Sequence, residues 1–199
     1  MGSMTHRLPI VCICGPSAAG KTTFAEALSE ALRAVGRQPL LIACDNYYRQ
    51  NWSPHPFFGF DTIDAIDYSA LRVDLAEACQ ANAKTLRHYD MRSRIVSRRS
   101  VSAPFDIIVL EGAFGPQLLL NDFSLKALIY LDESILLRLW RRLRRDVVHR
   151  SRSPGYVIRQ MLFEMLPGER HFIAPLKKQA TFVVRHPKRD LRIVLDALG

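Results

Sequence analysis

GPSAAGKT, the stretch from Gly15 to Thr22, is the part of this chain that decides its fold. It fits the pattern G-x-x-x-x-G-K-[ST], in which glycines allow a tight path that turns successive backbone N–H groups inward to make an anion site. Lys21 adds a mobile positive charge for the β- and γ-phosphates, and Thr22 adds a hydroxyl for Mg²⁺. The loop residues expected to contact the nucleotide are Gly15, Ser17, Ala18, Ala19, Gly20, Lys21, Thr22 and Thr23. The motif therefore predicts that the chain binds a nucleoside triphosphate.

The sequence on both sides of this loop provides the context that the motif requires. An apolar run of strand length, Leu8–Cys14, precedes the loop. The segment Thr23–Val35 follows with apolar residues at helical spacing, and Gly36 stands where a helix C-terminal glycine belongs. A glycine-rich turn without a ligand is the alternative interpretation, and the order strand, loop, helix counts against it.

The length and composition are those of one globular domain. The chain has 199 residues, of which 48% are hydrophobic and 24% are charged. We read residues 1–3, Met-Gly-Ser, as a cloning remnant and residues 4–199 as a single domain. No apolar run approaches the ~20 residues of a membrane span, so no membrane partner is expected. The four cysteines form no C-x-x-C pair, and we interpret them as buried thiols in a reducing cytoplasm.

Strands and helices alternate along the chain. The strands predicted after the first are Pro39–Ala43, Phe105–Leu110, Leu125–Leu131, Ala180–Val184 and Leu191–Leu195. The helices predicted after the first are Ser69–Asn82, Ser134–Val148 and Tyr156–Glu164. A loop covers Asp45–Asp67, and a small hairpin covers Thr85–Val101. Such alternation implies a doubly wound parallel sheet, and the phosphate loop makes it the three-layer α/β/α fold of a P-loop NTPase. We also expect the hairpin to serve the substrate and an arginine-rich segment to form a lid.

Two carboxylates follow predicted strands at the edge where parallel sheets bind ligands. Asp45 ends the second strand, and it could position an attacking hydroxyl and accept its proton, or it could simply form a turn. Glu111 ends the run DIIVLE, where a magnesium-side carboxylate is expected, the alternative being a solvated strand end. Asp106 opens the same strand and is expected to be structural.

The positive charge is concentrated near one predicted helix. The formal net charge is +9, and seven arginines fall between Arg138 and Arg152. A diffuse basic surface would suit nucleic acid, whereas this clustering favours an anionic small molecule and no nucleic acid partner.

The predicted helix Ser134–Val148 has two stripes. The residues expected to face the core repeat every four positions: Ile135, Leu139, Leu143 and Val147. The other stripe is basic and continues past the helix end: Arg138, Arg142, Arg145, His149, Arg150 and Arg152. A solvated basic face is the usual meaning, but beside a triphosphate site we favour a phosphate-closing lid at about residues 141–155.

These features together resemble the uridine kinase and phosphoribulokinase family of P-loop kinases, and within it the uridine–cytidine kinases. The matching segments, in the same order up to about Val184, are GPSAAGKT, CDNYYR, GFDTIDAID, Tyr89-Asp90, VLEG, RLWRRLRRDVVHRSR and APLKKQATFVV. The resemblance implies ATP and Mg²⁺ as cofactors. It also implies that Asp45 is the general base, that Asp45, Thr22 and Glu111 face the metal, and that Tyr47 in CDNYYR lies at the acceptor.

The resemblance also implies the acceptor site. Asp61 matches the first acid of the family's F-D-H-P-D-A motif, which engages the ribose-bearing part of the substrate. Asp64 matches the second acid, whereas Thr62-Ile63 replaces the intervening His-Pro. Tyr89 matches the tyrosine that packs against the substrate base.

Four arginines match the family's lid arginines, namely Arg142, Arg145, Arg150 and Arg152. We expect Arg150 at the nucleotide, Arg142 and Arg152 at the acceptor, and Arg145 acting in catalysis with Asp45 and Lys21.

One departure concerns specificity. Uridine–cytidine kinases carry a base-reading histidine near the position of Arg94, where this chain has YDMRSRIVSRR. Arginine offers only donors, which favours an anionic or carbonyl-rich substrate over cytidine. Sugar-phosphate, pantothenate and nicotinamide riboside kinases occupy neighbouring branches and stay open.

A small-molecule kinase is the hypothesis that fits best. A switch GTPase needs an N/T-K-x-D element that this sequence lacks, and a nucleic-acid motor usually needs a D-E pair where this chain has Leu110-Glu111. A basic P-loop regulator that binds nucleic acid is the alternative of another class. The oligomeric state stays open, a homo-oligomer included.

Overall fold

The apolar run before the glycine-rich loop forms the central strand of a five-stranded sheet. The computed structural model describes residues 7–101, 104–148 and 151–199. The strands are β1 (Ile10–Cys14), β2 (Pro39–Ala43), β3 (Thr85–Tyr89), β4 (Val96–Ser100), β5 (Ile107–Glu111), β6 (Ala127–Leu131) and β7 (Phe182–Val184). The helices are α1 (Lys21–Ala34), α2 (Tyr68–Cys79), α3 (Pro116–Leu119), α4 (Ile135–Val148), α5 (Pro154–Gln160), α6 (Leu166–Gly168), α7 (Leu176–Gln179) and α8 (Pro187–Leu198). Two 3₁₀ turns cover Cys44–Tyr47 and Ile63–Ala65, and two π-helical turns cover Met161–Met165 and Glu169–Ile173.

The sheet has the strand order β2–β5–β1–β6–β7, and its pairings are parallel. Strands β1, β5 and β6 are buried along their whole length because helices cover both faces. One face packs against α1 and α8 through Phe24, Leu28 and Val194, and the other packs against α2 through Leu71 and Leu75. The predicted doubly wound, three-layer fold is confirmed. Its strands present their carboxyl ends at one edge, where ligands of such sheets bind.

The predicted hairpin is the antiparallel pair β3–β4, and a buried carboxylate ties it to α2. Asp74 accepts hydrogen bonds from the backbone N–H of Arg87 and from Nη2 of Arg98, both at 2.9 Å. Tyr47, which we expected at the acceptor, lies in the core instead and donates its hydroxyl to Asp74 at 2.8 Å. Burial and the Asp74 charge raise the pKa of Tyr47, so this hydroxyl stays protonated and serves the packing of the hairpin.

The predicted strand Leu191–Leu195 is wrong, because this segment lies within helix α8. Pro187 occupies the first turn, where its missing N–H costs nothing. The Asp190 carboxylate accepts from two backbone N–H groups just before the helix, at 3.0 and 2.9 Å. The apolar run is too short to distinguish a strand from a helix by its period. In the helix, Val194 and Leu198, four residues apart, are buried against the sheet.

Helix α4 has the predicted bounds, but the residues that it buries differ from the predicted ones. Ile135, expected in the core, is 45% exposed, whereas Arg138 and Arg142 are only 6% and 5% exposed. Buried carboxylates from other segments pair with these arginines and make their burial tolerable. The rest of the apolar stripe does pack, against Val157 and Met161. His149 of the basic stripe lies outside the described residues.

Within the described ranges, every helix is too short or too polar to span a bilayer.

Candidate active site

A cleft of about 430 Å³ opens at the carboxyl edge of the sheet. Most of the residues that the sequence nominated line it: Ser17, Ala18, Gly20, Lys21, Thr22, Thr23, Asp45, Asp61, Tyr89, Arg94, Glu111, Arg142, Arg145 and Arg152. Gly15, Ala19 and Tyr47 lie outside its lining, and Arg150 lies outside the described residues. The fold thus brings together residues from the phosphate loop, two strand ends, the hairpin and α4.

The phosphate loop has the backbone that its glycines permit. Gly15 has a φ of +141°, and a Cβ there would stand 2.7 Å from the carbonyl oxygen of Leu131, so only glycine fits beside β6. Ala18 has a φ of +59°, a left-handed conformation that is strained for a residue with a Cβ. Ala19 is buried against the core and anchors the loop from behind. The side chain of Lys21 folds back and donates to the carbonyl oxygen of Pro16 at 2.9 Å.

Two carboxylates and Lys21 meet where β2 and β5 end side by side. Glu111 is 4% exposed and accepts from the Thr22 hydroxyl at 3.1 Å. Burial first, and then the nearby Asp45 charge, raise the pKa of Glu111 to about 7. Burial lowers the pKa of Lys21, and the charges of Glu111 and Asp45 offset part of that shift. Two acids held this close favour a bound cation, because a positive charge would relieve their repulsion.

The donor set at this point suits Mg²⁺ bound together with a nucleotide. Thr22, Asp45 and Glu111 offer a hydroxyl and carboxylate oxygens, the ligands that a hard divalent cation takes. In the described part of the chain no three His, Cys, Asp or Glu side chains cluster to hold a metal. Phosphate oxygens and water would therefore have to complete the coordination, as is usual for this ion in triphosphate sites.

Asp61 and Arg142 form a buried ion pair in the wall of the cleft. Nη1 and Nη2 of Arg142 lie 3.2 and 3.1 Å from the two carboxylate oxygens of Asp61. Burial alone would lower the pKa of Arg142, but the charge and hydrogen bonds of Asp61 and the charge of Asp146 together raise it. Asp64, the second acid of the matching motif, is exposed and does not line the cleft.

An aromatic and basic wall lies on the hairpin side. Tyr89 is buried, and its ring centroid lies 6.0 Å from that of Tyr48. Arg94 adopts a φ of +59° in the hairpin turn and places its guanidinium 5.0 Å from the ring centroid of Phe60. We did not predict Tyr48 or Phe60 as cleft residues, although Tyr48 adjoins Tyr47 and Phe60 adjoins Asp61 in the quoted motifs. Their position next to predicted site residues was the one feature of the sequence that could have indicated them. The 3₁₀ turn then determines which of the two tyrosines faces the cleft.

Buried Asp146 on α4 gathers the lid arginines. Nε of Arg145 lies 2.8 Å from one of its carboxylate oxygens, and Nη1 of Arg152 lies 3.5 Å from the other. Arg152 also donates to the side-chain oxygen of Gln160 at 3.2 Å. These contacts hold both arginines beside the cleft that they line.

Comparisons with known proteins identify the family of this chain. Residues 10–192 match the model of the Phosphoribulokinase / Uridine kinase family. The chain is 32% identical over 189 residues to a uridine kinase of Lactobacillus johnsonii, covering 91% of this chain and 88% of that protein. It is 31% identical over 182 residues to a uridine kinase of Halobacterium salinarum, covering 86% and 77% of the two chains.

Solved structures share the fold at lower identity. A possible uridine kinase from Bacillus stearothermophilus superposes with a TM-score of 0.63 at 20% identity, covering 92% of this chain and 90% of that chain. A putative fructose transport system kinase from Silicibacter gives 0.66 at 15% identity, covering 92% and 93%. The sequence matches show more than the fold: this chain belongs to the phosphoribulokinase and uridine kinase family, and it is an ATP-using phosphotransferase that acts on a hydroxyl group.

Proposed function

We propose that this kinase transfers the γ-phosphate of ATP to the 5′-hydroxyl of a nucleoside and prefers uridine to cytidine. The observation that carries the proposal is the cleft itself, in which Asp45 shares one cavity with the phosphate loop and with the Tyr89 and Arg94 wall. A flat base suits this wall, because an aromatic ring offers a face for stacking. The names of the relatives support the same acceptor.

Each cleft residue has a chemical role in this proposal. The oxygen of the acceptor hydroxyl forms a bond to the γ-phosphorus, the bond from that phosphorus to the β–γ bridging oxygen breaks, and ADP leaves. Asp45 takes the hydroxyl proton, and Lys21 with the backbone N–H groups of the loop stabilises the developing negative charge. Arg145 and Arg152 close over the phosphates and exclude water. Mg²⁺, held by Thr22, Glu111 and Asp45, would neutralise phosphate charge.

Arg94 supports the preference for uridine. Its guanidinium only donates hydrogen bonds, and uracil presents a carbonyl oxygen where cytosine presents an amino group. A polar mismatch in a desolvated pocket costs about 1–3 kcal/mol, or roughly tenfold to a hundredfold in kcat/KM.

A sugar phosphate is the second candidate acceptor, because Arg94 and the α4 arginines line the same cleft. The test is kcat/KM of the wild-type enzyme with ATP and uridine, cytidine or a phosphorylated sugar. We expect the highest kcat/KM with uridine. Turnover of the phosphorylated sugar alone would assign the enzyme to the second candidate, and equal rates for the two nucleosides would refute the role of Arg94.

A further inference from the structure

Ser17 of the phosphate loop is held at all three of its polar groups by residues from the second half of the chain. Its N–H donates to Oε1 of Glu169 at 2.7 Å, and its carbonyl oxygen accepts from Nη1 of Arg138 at 3.3 Å. Its hydroxyl oxygen accepts from Nη1 of Arg142 at 3.1 Å. The residue before the strained Ala18 is therefore fixed from outside the loop.

The pair Arg138–Glu169 is built for this contact. Nη1 of Arg138 lies 2.9 Å from each carboxylate oxygen of Glu169, and both residues are 6% exposed. Buried ion pairs are seldom more stabilising than a well-packed apolar pair, so stability alone is a poor account of two buried charges here. What an apolar pair would lack is a hydrogen-bond acceptor for the N–H of Ser17.

Glu169 reaches Ser17 from an unusual backbone segment. It opens the second π-helical turn, in which the N–H of Ala174 bonds to the carbonyl oxygen of Glu169, five residues earlier, at 2.8 Å. Isolated π-helical turns inside α-helices occur often at functional sites. Gly168, just before it, packs so closely on Asp61 that a Cβ would lie 2.2 Å from the Asp61 carbonyl oxygen. The π-helical turn and the close contact of Gly168 with Asp61 together fix how this segment approaches the loop.

We propose that Glu169 and Arg138 are a positioning pair that sets the phosphate loop in its ATP-binding conformation through the N–H of Ser17. The inference rests on the proposed ATP site and adds residues that do not line the cleft. Glu169 holds the loop, while Arg138 neutralises a carboxylate that would otherwise repel the triphosphate. The pair acts on ATP through Ser17 and makes no contact with the acceptor.

Two double variants separate positioning from general stability. Arg138→Met with Glu169→Gln and Arg138→Met with Glu169→Leu both remove the buried charges, and they differ in the acceptor opposite the N–H of Ser17. We expect the KM for ATP and the Kd of a nonhydrolysable ATP analogue to be about fivefold to tenfold higher in the leucine double variant, the effect of one lost hydrogen bond. The KM for the acceptor should agree within about twofold between the two.

A matched control breaks an ion pair at the opposite end of the strands. Nε of Arg37 lies 2.8 Å from Asp106, so Arg37→Met should alter the melting temperature without changing the KM for ATP. If the leucine double variant does not fold, Glu169→Asp keeps the charge but shortens the side chain, and it should raise the KM for ATP about threefold.

The outcomes distinguish the two proposals. Equal affinity of the two double variants for the analogue, with tight binding by the wild type, would overturn the positioning pair and leave the ATP site standing. An unchanged KM for ATP in Glu169→Asp would overturn it as well. A wild-type protein that does not bind the analogue would refute the proposed function and this inference together.

Discussion

Replacing Asp61 by Asn should destabilise this protein strongly, because it leaves Arg142 charged and buried without its bidentate partner. Both side chains are at most a tenth exposed, so solvent does little to screen the loss. Breaking such a buried pair costs about 3–5 kcal/mol. Oδ2 of Asp146 lies 3.9 Å from Nε of Arg142 and would still balance part of its positive charge. We therefore take the lower end of that range, about 3 kcal/mol. In a chain of this size that loss lowers the melting temperature by roughly 6–12 °C.

The assay is thermal unfolding of the wild type, Asp61→Asn and the double variant Asp61→Asn with Arg142→Met. The double variant removes the stranded charge and should recover at least half of the lost melting temperature. A single variant that melts within about 2 °C of the wild type would refute the reasoning. A double variant less stable than the single one would refute it too, because it would show that Arg142 is stabilised by other contacts.

The remaining predictions concern catalysis, and steady-state kinetics with ATP and uridine checks each of them. Lys21→Ala should abolish phosphoryl transfer while the fold is retained, so near-normal turnover would contradict the phosphate-loop assignment. Asp45→Asn should keep ATP binding and lower kcat by about 10²-fold or more; a rise in the acceptor KM alone would make Asp45 a binding group. Arg145→Ala should lower kcat more than it weakens ATP binding, with only partial rescue by Arg145→Lys, and unaltered kinetics would favour a solvated face. Arg94→His should narrow the roughly tenfold to hundredfold preference for uridine, because histidine can accept from the cytosine amino group; an unchanged ratio would remove Arg94 from base reading.

The parts of the fold that sequence could predict are those specified locally. The strand β1, the glycine-rich loop and α1 follow one another, and their signals are turn chemistry and apolar period within some 25 residues. The bounds of β2 were predicted without error, and Asp45 and Glu111 lie at one sheet edge because parallel strands end there together. Their catalytic and metal-binding roles stay predictions.

The parts that sequence could not predict depend on partners far along the chain. Arg142 pairs with Asp61 across 81 positions, and Arg138 pairs with Glu169 across 31. Without those partners, a stripe of arginines on α4 indicates a solvated face or a lid, and its burial cannot be foreseen. The prediction for the segment that forms helix α8 was wrong for another reason, because the five residues Leu191–Leu195 fit a strand as well as a helix. Tyr47 and Tyr48 are equivalent in sequence, and only the 3₁₀ turn sends the first into the core.

The most direct test of the proposed phosphoryl transfer is the fate of the γ-phosphate when the wild-type enzyme is given labelled ATP, Mg²⁺ and uridine. We expect the label to appear on the 5′-oxygen of uridine in a one-to-one ratio with ADP, and we expect Asp45→Asn to lose this transfer while still binding ATP. Label released only as inorganic phosphate, or transferred to a phosphorylated sugar but never to uridine, would contradict it.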